Sequence, residues 1–511
     1  MRESILNYLR AGYPMIWIQD YEEDKVVSDI EKIARRGKRQ DSPLQMYVWS
    51  CTKGLYNQIT KMKQDIKDPL NVLQYIETKG TDRTIYVLKN FHYYLDKPVI
   101  IQQLKDLIPI CKANERHLIF VSYTNDLPAE LEKDIALITY PAPSKELLNN
   151  VLDNLLESNN IDKSSITERE RLLDSARGLT ISEAENAFAL AYVQHRSFNN
   201  EAIKTVQQLK TKFIRKSGVL EYIEPQFTLD DIGGLENLKE WLRQREKAFT
   251  PEAREFGIPL PKGILLTGVP GSGKSLTAKA VAVAWKLPLI KFDLSQIFNS
   301  LVGESEKRMR EALRTIEAVS PCICWIDEIE KGLAGSTSTH DSGVAARVFG
   351  QFLTWMQEKK EFVFVIATAN NISALPPEFM RKGRFDEFFW VDLPTFNERK
   401  EIFSIHLKKR KRNVEFFDLN RLAEETEGFS GAEIESLVVS GLYYAFEENR
   451  ELQTEDIIKA INETTPLSIS MKEKIAEMRE WAQDRFRYAS KIESMVNLDD
   501  IKTKSNRKLT F

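Results

Sequence analysis

The chain has 511 residues, too many for one hydrophobic core, so we expect about three domains. Its 72 basic and 75 acidic side chains nearly cancel to a formal charge of -3, which excludes a global field that would attract nucleic acid or anionic lipid. No apolar run approaches the roughly 20 residues that cross a bilayer, and no basic-then-apolar leader occurs, so we expect a soluble intracellular protein. The four cysteines, Cys51, Cys111, Cys322 and Cys324, are predicted to be reduced core residues rather than a disulfide framework.

The first half, to about residue 215, alternates apolar runs with helical patterns, which predicts a parallel α/β domain. Its strand candidates are residues 13–19, 44–50, 84–88 and 117–123. After the first strand, Tyr21-Glu22-Glu23-Asp24 would repel a phosphate. After the third strand, Lys89-Asn90 offers neither a magnesium ligand nor a base. We therefore expect this half to bind a partner or shape an assembly.

A complete phosphate-binding loop of the G-x-x-x-x-G-K-[ST] type follows the apolar run 263–267. Its members are Gly268, Val269, Pro270, Gly271, Ser272, Gly273, Lys274 and Ser275. Glycines let backbone N–H groups converge on phosphate oxygens, Lys274 reaches the β- and γ-phosphates, and the Ser275 hydroxyl can bind Mg²⁺. Leu276 begins the helix whose positive N-terminus faces the phosphates. The alternative, a chance match in a glycine turn, is disfavoured by the strand before and the helix after the loop, so the chain is predicted to bind a nucleoside triphosphate.

Two further apolar strands end in polar side chains. The run 322–326 ends in Asp327 and Glu328, a Walker B pair in which Asp327 would hold Mg²⁺ and Glu328 would orient the attacking water. A helix N-cap is the alternative role for such a dipeptide. The next strand ends in Asn370, whose amide could hydrogen-bond the γ-phosphate or that water. Asn also ends many strands because it favours turns, and Asn371 could take the role instead.

The segment Leu375-Pro376-Pro377-Glu378-Phe379-Met380-Arg381-Lys382-Gly383-Arg384-Phe385-Asp386 follows these strands. With it, the chain resembles an AAA-type ATPase of the AAA+ superfamily, in which this segment is the second region of homology. The resemblance implies a homo-oligomeric ring, usually a hexamer, in which Arg381 and Arg384 reach the γ-phosphate held by the neighbouring subunit. Without the family, the same arginines would be part of a basic surface turn.

Three other segments match the family pattern at the nucleotide base and the lid. Asp231, Ile232 and Gly233 resemble the backbone that packs on adenine, and His406 resembles the histidine near the ribose and base. Gly431-Ala432 matches the lid motif that closes over the nucleotide. The resemblance therefore implies ATP and Mg²⁺ as cofactors, and it makes Asn370 the sensor-1 residue.

The segment 300–306 aligns with the first pore loop of the family, where members that thread polypeptide commonly carry an aromatic residue and some carry leucine. This chain has Leu301, which offers less contact area and no stacking. The pattern therefore leaves two interpretations open: Leu301 contacts a substrate, or it packs beneath the loop.

The predicted fold is α/β, a P-loop AAA+ module with a parallel sheet and a helical lid, preceded by a second α/β domain that resembles a degenerate AAA copy. The second copy is suggested because Gly178-Leu179-Thr180-Ile181-Ser182-Glu183 parallels Gly428-Phe429-Ser430-Gly431-Ala432-Glu433 at an offset of 250. An unrelated α/β adaptor is the alternative. The predicted domains are 1-143 (degenerate copy), 144-221 (lid-like helices and linker), 222-394 (ATPase α/β domain), 395-465 (lid) and 466-511 (C-terminal helix and basic tail).

The whole arrangement resembles the uncharacterised AAA proteins encoded in red-algal plastid and cyanobacterial genomes, which implies a plastid stroma or a bacterial cytoplasm. We expect a Mg²⁺-dependent, ring-forming ATPase that remodels assemblies of an unknown protein client. An ATP-dependent binding switch or scaffold that threads nothing is the alternative. Nucleic acid is not an expected partner, because the sequence has no basic-aromatic cluster. A metalloprotease is not expected either, because the sequence has no H-E-x-x-H segment. The last amphipathic stretch, residues 471–493, is expected to pack on the lid or on a neighbour.

Overall fold

A computed structural model describes residues 2–36, 44–124, 127–140, 142–163, 166, 168–215, 218–224, 226–298, 304–334, 342–372, 375–381, 383–483 and 485–491. Leu301, with its interpretation as a pore-loop residue, and the basic tail after residue 497 lie outside these described residues. The chain divides into two units. The first comprises Met1–Leu147 and Thr180–Asn186, and the second Leu148–Leu179 and Ala187–Phe511.

The first unit is built on a seven-stranded sheet. Its strands are β1 (Met15–Gln19), β2 (Gln45–Ser50), β3 (Gly54–Asn57), β4 (Lys63–Gln64), β5 (Thr84–Lys89), β6 (Arg116–Ser122) and β7 (Ile135–Thr139). The spatial order is β4-β3-β2-β5-β6-β1-β7. The five strands β2, β5, β6, β1 and β7 are mutually parallel. Beyond β2 the sheet continues in antiparallel pairing through β3 to β4, which is the edge strand. The flanking helices are α1 (Arg2–Arg10), α2 (Glu23–Arg36), α3 (Pro69–Thr78) and α4 (Pro98–Ala113).

The central strands of this sheet are apolar throughout because helices cover both faces. Along β1, Met15 and Trp17 pack into one hydrophobic cluster and Ile16 and Ile18 into another. Successive side chains of a strand point to opposite faces, so the two clusters lie on opposite sides of the sheet. This is the buried parallel sheet that the continuous apolar runs predict.

A helical segment follows the first sheet in the chain. It contains α5 (Lys145–Ser158), α6 (Arg169–Ser175), α7 (Ile181–His195) and α8 (Asn200–Arg215). Apart from the first turn of α7, most of this segment belongs to the second unit. There the Arg177 guanidinium donates to the Ser320 carbonyl, and Ile214 joins the core of the second sheet.

The second unit also contains a seven-stranded sheet. Its strands are β8 (Leu220–Ile223), β9 (Gly263–Gly268), β10 (Leu289–Phe292), β11 (Cys322–Ile326), β12 (Val363–Ala369), β13 (Glu387–Val391) and β14 (Arg487–Tyr488). The order is β14-β13-β9-β12-β11-β10-β8, with β8 antiparallel to β10 and the other pairs parallel. Its helices are α9 (Glu236–Arg245), α10 (Pro251–Glu255), α11 (Lys274–Ala284), α12 (Ser295–Phe298), α13 (Glu304–Ala318), α14 (Lys331–Ala334) and α15 (Ser342–Glu358).

A separate helical lid follows β13 and has its own hydrophobic core. The lid helices are α16 (Phe396–Lys409), α17 (Leu419–Glu425), α18 (Gly431–Glu447) and α19 (Thr454–Glu463). Two sheets therefore share one arrangement: the parallel strands run in the order β7-β1-β6-β5-β2 in the first unit and β13-β9-β12-β11-β10 in the second. The predicted α/β fold with a lid and a preceding related domain is confirmed.

The C-terminal region differs from the sequence prediction. Beyond α20 (Leu467–Ser470), the last helix, α21 (Lys472–Ala482), ends earlier than expected, because the chain then forms β14 beside β13. Ile475 and Met478 of α21 pack in the core of the second sheet with Trp390, and Arg479 forms an ion pair with Asp392 at 2.7 Å. The helix therefore packs on the α/β core of its own chain and not on the lid.

Two further findings concern the cysteines and the helices. Cys111, Cys322 and Cys324 are buried, but Cys51 is exposed, so the prediction that all four are core residues was wrong for Cys51. Within the described ranges, no helix is long and apolar enough to cross a membrane.

Candidate active site

The phosphate loop connects β9 to α11 at the carboxyl edge of the second sheet. Gly268 has a φ of 142°, and a Cβ there would collide with the Val391 carbonyl oxygen, so only glycine fits. Gly273, with a φ of 95°, turns the chain into the first residue of α11, Lys274. The loop thus ends at a helix N-terminus, where backbone N–H groups and the helix dipole favour a phosphate.

The cavity beside this loop measures about 600 Å³, which lies within the range of roughly 300–1,000 Å³ that is typical of small-ligand sites. It is lined by Phe227, Asp231, Ile232, Gly233, Pro270, Gly271, Ser272, Gly273, Lys274, Ser275, Leu276, Asp327, Glu328, Thr368, Asn370, Ile402, Ile405, His406, Lys409, Gly431, Ala432 and Glu435. The structure therefore collects nearly all the sequence-predicted residues around one space. Gly268 and Val269 contribute to the loop but not to this lining, and Val269 is fully buried in the core.

Lys274 is buried against the loop that precedes it, with 6% of the residue exposed. Its Nζ donates to the carbonyl oxygens of Gly268 at 2.9 Å and Val269 at 2.8 Å. Burial lowers the pKa of Lys274 to about 8, and the neighbouring carboxylates of Glu330 and Asp327 only partly offset this. The site thus holds a desolvated cationic group that an anionic ligand would stabilise.

Asp327 lies where the Walker B strand, β11, ends. The Ser275 and Thr368 hydroxyls both donate to Asp327 Oδ1, at 2.8 Å and 2.7 Å. A carboxylate and a serine hydroxyl in contact form a hard oxygen donor set, which is the kind that Mg²⁺ prefers. The residues present therefore fit a magnesium ion.

Glu328 is held by its neighbours in an uncommon backbone conformation, with a φ of 49°. Its N–H donates to Thr368 Oγ1 at 2.9 Å, and Asn370 Nδ2 donates to Glu328 Oε1 at 2.8 Å. Lys331 forms an ion pair with the other carboxylate oxygen of Glu328. Asn370 lines the cavity, whereas Asn371 is exposed and outside the lining, so the geometry favours Asn370 over Asn371.

The opposite wall of the cavity comes from the 227–233 lead-in and helix α16. His406 is mostly buried, and burial lowers its pKa below the ordinary histidine value although Glu435 lies 3.5 Å from its Nδ1. The lid reaches the phosphate loop directly, because the Ala432 N–H donates to the Gly271 carbonyl at 3.0 Å. The lid therefore contacts the phosphate loop, and residues of α16 and of the 227–233 segment line the same cavity.

Arg381 and Arg384 lie away from this lining. The Arg381 side chain is 70% exposed, and its Nη2 lies 4.0 Å from Glu378 Oε1. The Arg384 guanidinium donates to the Glu378 carbonyl oxygen. Among the described residues, neither Arg381 nor Arg384 lines the cavity beside the phosphate loop of its own chain.

Sequence reasoning missed Thr368, Ile402, Ile405, Lys409 and Glu435 as lining residues. Thr368 could have been found, because it precedes Asn370 by two residues and alternate strand residues face the same side. Ile402 and Lys409 likewise lie four and three residues from His406 along α16, whereas Ile405 directly precedes His406 and has no such spacing. No sequence signal singles out Glu435.

The first unit can be compared with this site position by position. The end of β5 corresponds to the Walker B position, and Asn90, with a φ of 53°, has the left-handed backbone that Glu328 has. Lys89 Nζ lies 3.0 Å from Glu23 and 2.9 Å from Asp24. The charges are reversed: the lysine is the last residue of β5, and the carboxylates follow β1.

A carboxylate also lies where a phosphate loop would meet the lid. Glu22 accepts hydrogen bonds from the N–H groups of Ser182 at 2.6 Å and Ile181 at 3.3 Å, in the first turn of α7. Burial alone would raise the pKa of the Glu22 carboxyl, but these hydrogen bonds and Lys25 hold it below its ordinary value. At the corresponding place in the second unit, the lid N–H of Ala432 contacts the phosphate loop.

A phosphate loop between a buried strand and a helix, paired carboxylates on the neighbouring strand and a helical lid define a P-loop ATPase of the AAA class. Family models match accordingly. They are the SpoVK-like AAA ATPase N-terminal domain over residues 1–140, its second domain over 145–217, the ATPase family associated with various cellular activities (AAA) over 264–393, and the AAA+ lid domain over 417–460.

Individual relatives cover almost the whole chain. The "Uncharacterized AAA domain-containing protein ycf46" of Pyropia yezoensis is 39% identical over 485 residues, 94% of this chain and 98% of that protein. The protein of the same name from Guillardia theta is 36% identical over 478 residues, 93% of each chain. The "Proteasome-activating nucleotidase" of Archaeoglobus fulgidus is 32% identical over 337 residues, 63% of this chain and 83% of that protein. The chain therefore belongs to the ycf46 family of AAA proteins, and it is a nucleotide-binding AAA ATPase.

Proposed function

We propose that this ATPase forms a ring, hexameric in its usual form, and remodels protein assemblies, with Arg381 and Arg384 completing the ATP site of the neighbouring subunit. The observation that carries the proposal is the exposed Arg381, which stands outside its own cavity although that cavity is otherwise complete. An always-charged guanidinium presented on the surface suits the γ-phosphate of an adjacent subunit.

Within the cavity, each side chain has a proposed task. Lys274 binds the β- and γ-phosphates, Ser275 and Asp327 would hold Mg²⁺, Glu328 orients and polarises the attacking water, and Asn370 holds Glu328. Mg²⁺, when bound, supplies charge neutralisation on the phosphates. Asp231, Ile232, Gly233 and His406 are proposed to bind the base and ribose, and Gly431 and Ala432 to close the lid.

The ring is tested by the dependence of ATPase rate on protein concentration. We expect the rate per subunit to rise with concentration, and Glu328→Gln and Arg381→Ala each to lower it at least about 100-fold. Arg421→Ala, which removes an exposed arginine paired with Glu455, is the matched control and should leave the rate unchanged. A rate that is independent of concentration and untouched by Arg381→Ala would contradict the trans arginine.

Remodelling is favoured by the similarity to a proteasome-activating nucleotidase. The alternative, a nucleotide-dependent switch or scaffold, is favoured by Leu301, where threading members carry an aromatic residue. Replacing Leu301 by Asp should abolish work on a substrate if the protein threads, and should leave partner binding intact if it is a switch. The client can be captured with Glu328→Gln, because a ring that cannot hydrolyse ATP should retain it.

We also propose that each chain binds one ATP. The equivalent edge of the first unit is filled by its own ion pairs between Lys89 and Glu23 and Asp24, and Glu22 occupies the helix N-terminus that could otherwise face a phosphate. Equilibrium dialysis of Glu328→Gln should give one ATP per chain, and Lys274→Ala should give none. Residual tight binding to Lys274→Ala would show a second site and contradict the proposal.

We also propose the domain boundaries 1-143, 144-221, 222-394, 395-465 and 466-511 for this chain. The same holds for the compartment, a plastid stroma or a bacterial cytoplasm, which is supported by the ycf46 relatives from Pyropia yezoensis and Guillardia theta.

A further inference from the structure

Glu398, in the first turn of lid helix α16, is a buried carboxylate with only 4% of the residue exposed. Its Oε2 accepts from the Thr395 N–H at 2.8 Å, which closes a capping box. Its Oε1 accepts from the Leu235 N–H at 3.0 Å and from the Ser490 hydroxyl at 2.6 Å. Three donors from three separate segments therefore converge on one carboxylate.

The first of these segments is the turn that follows the base-binding residues 231–233. Leu235 has a left-handed backbone, with a φ of 59°, and a Cβ on Gly234 would collide with Glu398. One turn along α16, Glu401 Oε2 accepts from the Gly234 N–H at 2.8 Å. The same helix continues as the wall of the nucleotide cavity through Ile402 and His406. The turn after the base-binding residues is thus fixed to the helix that lines the cavity.

The second segment is the C-terminal strand region, 487–491. Besides Ser490, it is held by Asn237 Nδ2, which donates to the Tyr488 and Ser490 carbonyls at 3.2 Å and 2.9 Å. The Ala489 carbonyl accepts from the Leu238 N–H at 3.2 Å. Among the described residues, the Ser490 hydroxyl provides the side-chain contact between the segment 487–491 and the lid helix α16. A displacement of α16 would therefore move the segment 487–491 through the hydrogen bond between Glu398 and Ser490.

We propose that Glu398 is a positioning residue that sets the base-binding turn for adenine and links the nucleotide site to the C-terminal segment 487–491. The inference rests on the proposed base-binding role of Asp231, Ile232 and Gly233. Capping α16 requires only the hydrogen bond from the Thr395 N–H to Glu398 Oε2. Glu398 Oε1 takes no part in the cap and instead accepts from the Leu235 N–H and the Ser490 hydroxyl. When nucleotide closes the lid, α16 moves and Glu398 carries Ser490 with it.

Glu398→Gln tests the positioning role, because an amide has one acceptor oxygen where three donors need two. The Michaelis constant for ATP should rise about 10-fold with kcat changed less than about twofold, and the preference for ATP over inosine triphosphate should fall. Equal losses for both nucleotides, or a fall in kcat at unchanged KM, would overturn it as a merely structural effect. A wild-type protein without preference for ATP would instead contradict the base-binding assignment on which the inference rests.

Ser490→Ala tests the link and does not depend on the folding of Glu398→Gln, since only one hydroxyl is removed. In the hydrolysis-blocked Glu328→Gln background, hydrogen exchange at residues 487–491 should slow when ATP is added. Adding Ser490→Ala to that background should remove this nucleotide-dependent protection, and the Michaelis constant for ATP of Ser490→Ala alone should stay within about twofold of the wild-type value. Ser470→Ala, which removes a hydroxyl that donates to the Leu467 carbonyl within α20, is the matched control and should keep the protection. Protection that persists in Ser490→Ala would overturn the link.

Discussion

At the scale of single residues, the site depends on groups whose charge or hydrogen bonds are set by burial. Lys274 and Asp327 were identifiable from sequence because their motif has fixed spacing and a chemical reason for each member. Thr368 was not singled out, yet it contacts both Asp327 and the backbone of Glu328. Glu398 was missed for a different reason: its partners Leu235 and Ser490 are distant in the chain, and no local pattern brings them together.

The pH dependence of ATP binding follows from Lys274. Burial lowers its pKa to about 8, and an anionic ligand binds the protonated form, so nucleotide binding takes up a proton above that pH. We expect the apparent Kd for ATP to be about twofold higher at about pH 8 than at about pH 7 and about 10-fold higher by about pH 9. Isothermal titration in two buffers of different ionisation enthalpy measures this directly. A Kd that stays constant to pH 9 would contradict the lowered pKa.

Thr368 is expected to orient the catalytic carboxylates. Thr368→Val keeps the shape of the side chain but removes the hydroxyl that donates to Asp327 and accepts from Glu328, so kcat should fall about 10- to 100-fold. Thr368→Ser keeps the hydroxyl and should retain most activity. Steady-state ATPase assays at saturating Mg²⁺ distinguish the two variants. Equal activity of Thr368→Val and Thr368→Ser would show that the Thr368 hydroxyl has no role.

At the scale of elements, the central parallel strands and the helix after the phosphate loop could be predicted, because apolar runs and turn residues define them locally. The edge strand β14 could not, because it has two residues and forms by pairing with Phe389 and Trp390 of β13. The position of α21 likewise depends on contacts with Trp390 and Asp392, which sequence periodicity does not specify.

The junction between β9 and the phosphate loop requires glycine at position 268. Gly268→Ala should destabilise the second unit by roughly 3 kcal/mol or more, because the φ of 142° is unfavourable for alanine and the Cβ would collide with Val391. Gly350→Ala in α15 meets open space and should be neutral or stabilising by up to about 1 kcal/mol. Denaturant unfolding compares them; equal stabilities would contradict the steric argument.

The first turn of α7 is expected to depend on Glu22. Glu22→Ala leaves the N–H groups of Ile181 and Ser182 without their carboxylate, which should weaken the local structure by about 1–2 kcal/mol. Hydrogen exchange at residues 181 and 182 should accelerate by about one order of magnitude. Glu201→Ala, at an exposed ion pair with Lys204, is the control. Unchanged exchange in Glu22→Ala would show that this contact does not hold the turn.

At the scale of the whole molecule, two sheets have one strand order, but phosphate-binding chemistry is present in one and replaced by internal ion pairs in the other. That contrast was predictable from Lys89-Asn90 and the acidic run after β1. The trans arginines were implied only by the resemblance, because the γ-phosphate that Arg381 is proposed to contact belongs to another subunit.

Mixing two inactive variants tests the ring most directly. Arg381→Ala keeps an intact nucleotide cavity but lacks the arginine, and Lys274→Ala lacks the cavity lysine but keeps Arg381. If Arg381 acts on the neighbouring subunit, an equimolar mixture should regain about a quarter of the wild-type ATPase rate, because about one interface in four pairs an intact cavity with an intact arginine. If the mixture stays as inactive as its components, the trans arginine and the ring built on it are contradicted.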